Sequence, residues 1–108
     1  MRIYISGPIT GNIEAREQFN DAAEVLAERD IDYVNPAALS EVIPGAGWSQ
    51  YMGLCYSLLG WCNAIVFLDG WKKSAGAKKE RKWAADLGLI EYDLETGKFR
   101  EIVDAEPV

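Results

Sequence analysis

The sequence predicts a single α/β domain with a doubly wound, mainly parallel sheet of four to five strands. Short β-rich runs alternate with helical patterns along the chain, and residues 64–68 form a continuous apolar run. Such a run is typical of a central parallel strand that is covered on both faces. The 108 residues are enough for one hydrophobic core, and the apolar content of 49% with 26% charged residues is ordinary for a folded soluble protein.

The N-terminal part of the chain reads as a strand, a turn and a helix. Residues 2–6 are a short β-rich run that ends at a Gly-Pro breaker. Residues 13–29 then show a helical pattern with an apolar face formed by Phe19, Ala22, Ala23 and Leu26. Strand, turn and helix in this order predict the first half of a βαβ unit.

The middle of the chain is less regular. A short strand is predicted at residues 32–35 and a helical turn at residues 37–42. A helix follows at residues 50–61, with Ser49 as its predicted N-cap. This helix is apolar nearly all round, so we expect it to be buried on two sides, in the core and against another subunit.

The last elements follow the apolar strand at residues 64–68. A helix is predicted at residues 75–87, with Gly88 as the residue that terminates it. Residues 89–92 then form a fourth strand, and residues 99–102 an edge strand.

The composition of the chain argues against several classes of function. A net charge of −6 argues against binding of long nucleic acid, and no apolar run approaches the roughly 20 residues that span a bilayer. The N-terminus lacks a signal-peptide pattern, so we expect a cytoplasmic protein. With no histidine and only Cys55 and Cys62, we expect packed thiols, no metal site and no cofactor.

In doubly wound sheets, ligands bind outside the carboxyl ends of the strands. That rule selects three segments of this chain, residues 7–12, residues 35–48 and residues 69–76. The third segment leads directly into a concentration of positive charge.

Much of the chain's positive charge falls in one short stretch, which we call the basic cluster: Lys72, Lys73, Lys78, Lys79, Arg81 and Lys82. Cations at the start of a helix oppose its macrodipole, an arrangement that makes sense if an anion binds there. Ser74 and Gly76 would supply a hydroxyl and free backbone N–H groups to a phosphate. The alternative is a solvated charged face that aids solubility.

Glu80 is the only acid within the basic cluster. Helical spacing places it on the same apolar face as Gly76 and Ala84. Neighbouring cations would favour its ionised form, and an ionised carboxylate that faces a pocket is a candidate nucleophile or base. The alternative is a partly solvated acid that interacts with the helix dipole. Tyr4 would hydrogen-bond this carboxylate or serve only as a core aromatic.

Three motifs then suggest a family. The chain contains IYISGPITG near its start, an NP followed by a GxxWxxYM-like stretch, and SxGxxxE. Over roughly residues 1–90 it resembles the nucleoside 2-deoxyribosyltransferase superfamily, nearest to a small DUF4406-like branch found in phages and bacteria. The first and last motifs are similar to those of the 2′-deoxynucleoside 5′-monophosphate N-glycosidases.

The resemblance implies a flavodoxin-like sheet, a homo-oligomer and a small-molecule nucleotide or nucleoside as substrate. It implies that Glu80 attacks C1′ of the deoxyribose to form a covalent glycosyl-enzyme intermediate, and that Tyr4 orients the Glu80 carboxylate. Ser74 would bind the 5′-phosphate, and it favours nucleotides because the transferases carry an acid at this position. The other phosphate- and substrate-binding residues implied are Ser6, Gly7, Ile9, Thr10, Gly11 and Gly76.

Three further residues remain open. Asp69 would hold the base or sugar as a third catalytic residue, or it forms a plain Asp-Gly turn. Trp48 and Tyr51 would stack on the base, or they pack in the core or at an interface. The sequence therefore supports three classes: an enzyme, a nucleotide-binding module without turnover, and a structural α/β protein.

Overall fold

The computed structural model describes residues 1–103, which form a five-stranded sheet flanked by four α-helices. The strands are β1 (Arg2–Ser6), β2 (Asp32–Val34), β3 (Ala64–Phe67), β4 (Ile90–Tyr92) and β5 (Phe99–Glu101). The helices are α1 (Ala15–Glu28), α2 (Leu39–Val42), α3 (Trp48–Leu59) and α4 (Ala75–Asp86), with short 3₁₀ turns at Pro36–Ala38 and Trp71–Lys73.

The strands lie in the order β2-β1-β3-β4-β5. The first four are parallel, and β5 pairs antiparallel with β4 at the edge. The predicted α/β class and mainly parallel sheet are therefore confirmed. Because β2 and β3 lie on opposite sides of β1, the strand order reverses at β1, and Ser6 at the end of β1 pairs with Phe67 at the end of β3.

Side chains of β1 alternate between two hydrophobic cores. Ile3 and Ile5 belong to the core that contains the apolar face of α1. Tyr4 lies in the opposite core, with Leu59 of α3 and Ala84 of α4. Successive side chains of a strand point to opposite faces, so the last residue of β1, a serine, shares the α3–α4 side with Tyr4. This alternation places two hydroxyl groups beneath α4.

The predicted cap of α3 is wrong. The helix begins at Trp48, with Gly47 as the N-cap, and Ser49 lies inside its first turn. The reason is that the Gln50 side chain accepts a hydrogen bond from the Gly47 N–H at 2.9 Å and so fixes an earlier start.

The expectation that α3 is buried on two sides is confirmed for the side that faces the core, and burial of the other side against another subunit stays a prediction. One side is buried, through Met52, Cys55 and Leu59. The other side exposes large apolar residues, namely Trp48, Leu54 and Tyr56, and Trp61 follows just beyond the end of the helix.

Two further sequence-based expectations concern the thiols and the membrane. Cys55 and Cys62 are free and buried, which confirms that both are packed thiols. No helix within residues 1–103 is long and apolar enough to cross a membrane.

Candidate functional site

A pocket of about 300 Å³ opens at the carboxyl ends of β1 and β3. Its walls come from the three segments that the strand-end rule selects, together with the first turns of α3 and α4. The lining residues are Gly7, Pro8, Ile9, Thr10, Trp48, Tyr51, Met52, residues 73–77 and Glu80.

Two motif glycines lie where the walls of the pocket approach one another. A Cβ added at Gly7 would lie 3.0 Å from the Leu68 Cβ, a tight contact that one of the two loops would have to relieve by a small shift, so the absence of a side chain at residue 7 favours the close approach of the loops after β1 and β3. A Cβ at Gly76 would lie 3.4 Å from the Met52 Sδ, which is ordinary van der Waals contact with a flexible side chain. Close approach therefore accounts for the first of these motif glycines, Gly7.

The N-terminus of α4 forms one wall of the pocket. Ser74 is the N-cap, and its Oγ accepts a hydrogen bond from the Ala77 N–H at 3.1 Å. The Ser74 hydroxyl still has its own proton to donate. The first N–H groups of a helix have no partner within the helix, and the residues that carry them here, Ala75 and Gly76, line the pocket. The wall thus offers donors to an anion.

Glu80 lies at the inner end of the pocket with both carboxylate oxygens held. Its exposed fraction is only 5%. The Tyr4 hydroxyl donates a hydrogen bond to Oε2, and the Ser6 hydroxyl donates one to Oε1 at 2.7 Å. The alternative of a partly solvated first-turn acid is therefore wrong, because the carboxylate is buried on the second turn of α4. Tyr4 is both a core aromatic and the partner of Glu80.

The pKa of Glu80 is raised, contrary to the sequence-based expectation. Burial raises it, and the hydrogen bonds from Tyr4, Ser6 and Cys55 lower it without outweighing the burial. The two cations next to Glu80 in sequence, Lys79 and Arg81, do not offset this. The Lys79 ammonium lies instead over the rings of two tryptophans, Trp48 and Trp83, 5.6 and 5.7 Å from their centroids.

The basic cluster is divided among different surfaces. Lys73 lines the Glu80 pocket. Lys72, Lys78 and Arg81 surround Trp71 in a separate depression. Lys73 is therefore the member of the cluster that the structure places at the predicted anion site.

Three further groups lie around the Glu80 carboxylate. Burial raises the pKa of the Cys55 thiol to about 12, so the thiol stays protonated and serves as a weak donor. Burial likewise raises the pKa of Tyr4, which remains a neutral donor. The Tyr51 hydroxyl donates to the Pro36 carbonyl at 3.0 Å, and this bond anchors its ring at the pocket wall.

The structure brings most of the predicted site residues together. Lining the pocket are Gly7, Ile9, Thr10, Trp48, Tyr51, Ser74, Gly76 and Glu80. Ser6 is fully buried and contacts Glu80, so it positions the carboxylate. Gly11 follows the lining loop without lining the pocket itself, and Asp69 lies in a different depression beside Tyr92 and Arg100.

The sequence did not identify Met52 as a lining residue or Cys55 as a neighbour of Glu80. It also did not distinguish Lys73, which lines the pocket, from the other cations of the basic cluster. A signal for two of them exists in the helical spacing of Trp48, Met52 and Cys55, which places them on neighbouring positions of one side of α3. Among residues 1–103, no group of His, Cys, Asp and Glu side chains could hold a metal ion.

The chain belongs to the family described as DUF4406, a domain of unknown function, whose model matches residues 1–91. Comparisons with curated proteins and with solved structures found no match. The family assignment thus carries no activity, and any function has to be argued from the Glu80 pocket.

The raised pKa of Glu80 predicts that this residue costs stability at neutral pH. The folded protein holds the proton more tightly than the unfolded chain, so stability falls as pH rises from the ordinary value of 4.5 through the folded-state value. Glu80→Gln should therefore increase the free energy of unfolding at pH 7 by on the order of 1 kcal/mol. The gain should disappear below pH 4.5, as measured by urea unfolding at several pH values.

The matched control is Glu80→Ala, which removes the acceptor of two buried hydroxyls and leaves a cavity. We expect it to be less stable than the wild type by about 1–3 kcal/mol. A Glu80→Gln protein that is less stable than the wild type at pH 7, with no dependence on pH, would contradict the raised pKa.

Proposed function

We propose that this protein is an N-glycosidase or deoxyribosyltransferase that acts on 2′-deoxynucleoside 5′-monophosphates, or on nucleosides, through Glu80 as a nucleophile. The observation that carries the proposal is the buried Glu80 carboxylate, which Tyr4 and Ser6 hold at the inner end of a pocket. A buried acid with a perturbed pKa in a cleft is typical of a functional site. The three motifs that resemble the nucleoside 2-deoxyribosyltransferase superfamily support it.

The fold is compatible with this proposal. The strand order β2-β1-β3-β4 followed by β5 is the order of flavodoxin-like sheets, in which the ligand binds where the order reverses. The pocket lies at that position, between the ends of β1 and β3. The antiparallel β5 departs from an all-parallel sheet, but it lies at the edge that is far from β1.

In the proposed complex, the pocket divides by chemistry. The 5′-phosphate binds the first N–H groups of α4, the Ser74 hydroxyl and the Lys73 ammonium. The deoxyribose lies against Glu80, and the base extends towards Trp48 and Tyr51, which also line the pocket. No cofactor is needed for this arrangement.

The proposed reaction has two steps. A Glu80 oxygen forms a bond to C1′ while the C1′–N bond breaks, and the bonding electrons leave with the base, which takes up a proton. Water, or a second base, then attacks C1′, loses a proton and frees the Glu80 carboxylate. Tyr4 and Ser6 orient the carboxylate through their hydrogen bonds. Because only the ionised form attacks, activity requires a pH above the raised pKa of Glu80.

One observation favours the alternative of a nucleotide-binding module without turnover. Glu80 is the sole acid that lines the pocket among residues 1–103, and Asp69 lies in a separate depression. No second carboxyl group of this described part is therefore in place to protonate the departing base. A module of this kind would bind the same nucleotides and leave them intact.

The enzyme proposal predicts release of free base from deoxynucleoside monophosphates. Each of the four common monophosphates is incubated with the protein, and free base is measured by chromatography. Glu80→Gln should lower the rate on the order of 10³-fold or more because it removes the nucleophile while preserving shape. Tyr4→Phe, which removes one donor, should lower it roughly 10²-fold.

The control variant is Glu24→Gln, which changes an exposed glutamate on α1 and should leave the rate unaltered. Mass spectrometry of acid-quenched wild-type protein should show a covalent deoxyribose-phosphate adduct at Glu80. Full turnover by a correctly folded Glu80→Gln protein would rule out Glu80 as the nucleophile.

The phosphate site predicts selective thermal stabilisation by ligands. Deoxynucleoside monophosphates should raise the melting temperature, and the matching nucleosides should raise it far less, because only the former reach the α4 N-terminus. Lys73→Ala should weaken monophosphate binding about tenfold. Lys78→Ala is the matched control, since Lys78 lines a different depression.

Equal shifts of the melting temperature with nucleosides and with monophosphates would contradict the proposed recognition of the 5′-phosphate. A clear shift with monophosphates, together with no detectable base release, would identify the binding module instead.

A further inference from the structure

A second concave surface lies outside the Glu80 pocket, between α3 and α4. It encloses about 610 Å³ and is lined by three aromatic side chains, Trp48, Tyr56 and Trp83. We call it the aromatic groove. Trp48 and Met52 also line the Glu80 pocket, so the first turns of α3 contribute to both surfaces. A group that holds the Trp48 ring from the groove therefore affects a wall of the pocket.

The Trp48 ring has little packing of its own. It is 47% exposed, although large aromatic residues usually bury most of their surface. Trp48 is also the first residue of α3, and the ends of helices fray. The ring therefore depends on its neighbours across the aromatic groove for a defined orientation.

Lys79 of α4 supplies a contact that holds the Trp48 ring. Its ammonium lies 5.6 Å from the centroid of Trp48 and 5.7 Å from that of Trp83, close enough for attraction to both rings. Trp83 is itself held by Tyr56, in an edge-to-face contact with centroids 5.0 Å apart. The ammonium thus connects Trp48 to a pair of rings that already contact each other.

The Lys79 ammonium has no acid nearby that would draw it away from the rings. Lys79 forms no ion pair within residues 1–103. Asp86 also lines the aromatic groove, but it belongs to the same helix and lies about two turns further along, or roughly 10 Å. The contact with the two tryptophans is therefore the interaction that places this ammonium.

Lys79 and Glu80 are consecutive residues of α4. Consecutive side chains of a helix point about 100° apart, so Glu80 reaches the pocket while Lys79 reaches over the aromatic groove. The same helical turn therefore sets the position of the Glu80 carboxylate and that of the ammonium over Trp48. In the proposed complex, these two positions fix how far the base lies from the carboxylate.

We propose that Lys79 is a positioning residue that holds the Trp48 ring as the wall on which the base of a bound nucleotide stacks. Its effect on ligands rests on the proposed function, in which the base extends towards Trp48. Lys79 does not line the Glu80 pocket, so it acts through Trp48 and not as a charge that binds the 5′-phosphate. That second role belongs to Lys73, which does line the pocket.

The first experiment compares a deoxynucleoside monophosphate with deoxyribose 5-phosphate, which lacks the base. Dissociation constants are measured by NMR titration, with every variant made in the Glu80→Gln protein so that the nucleotide stays intact. Lys79→Met keeps the length of the side chain without its charge. It should weaken nucleotide binding about fivefold, as expected for loss of an exposed cation–π contact, and leave deoxyribose 5-phosphate binding unchanged. Equal losses for both ligands would indicate a general effect of charge and overturn the positioning role.

Two further variants and one matched control sharpen this comparison. Lys79→Arg should restore nucleotide binding, because a guanidinium also stacks on aromatic rings. In a Trp48→Ala background, Lys79→Met should cause no further loss, since both residues act through one contact. Lys78→Met is the control, because it removes the same charge from the adjacent position of α4, where the side chain lines the depression around Trp71. It should bind both ligands as tightly as the Glu80→Gln protein does.

A second measurement requires no ligand. The order of the Trp48 indole N–H group is measured by ¹⁵N relaxation in the free protein, with its signal assigned through Trp48→Phe. Lys79→Met should lower this order, and Lys79→Arg should restore it. An indole that is equally ordered in the wild type and in Lys79→Met would overturn the proposal. If no variant binds a nucleotide but the order of Trp48 still depends on Lys79, the proposed function fails and the positioning role stands.

Discussion

The structure depends on the Glu80 carboxylate, which is buried and forms no ion pair with any residue of the described range 1–103. An acid in an apolar interior is tolerated only when hydrogen-bond donors replace the water that it loses. Here the donors are Tyr4 and Ser6, which β1 presents on one face because strand side chains alternate. To reach them, α4 lies over the end of β1, and next to it the loops after β1 and β3 approach each other at Gly7 and Leu68. The pocket is the space that remains outside this contact.

That arrangement does not serve stability. Burial raises the pKa of Glu80 despite its donors, so the folded protein disfavours the ionised carboxylate relative to the unfolded chain. The buried position does, however, place the Glu80 carboxylate in a pocket that the first N–H groups of α4 also line. This combination is typical of a functional site.

Features that follow from local periodicity were predictable from the sequence. The alternation of strands and helices and the apolar face of α4 that carries Glu80 come from spacing along single elements, and the partnership with Tyr4 followed from the motif resemblance. Features that depend on tertiary neighbours were not predictable in the same way. The direction of Lys79 is set by aromatic rings from two helices, and the start of α3 is selected by the Gln50 side chain. Asp69 follows a strand end as expected, but its depression lies on the β4–β5 side of the sheet.

The cations around α4 are distributed over three neighbouring surfaces and do not form one site. Lys73 lines the pocket, Lys78 lies in the depression around Trp71, and Lys79 lies over the rings of the aromatic groove. Cations near a helix start oppose its dipole, but contact with aromatic rings offsets part of that cost for Lys79. Two residues of α3, Trp48 and Met52, join two of these surfaces, since both line the pocket and the groove. The first turns of α3 therefore form a wall that these two surfaces share.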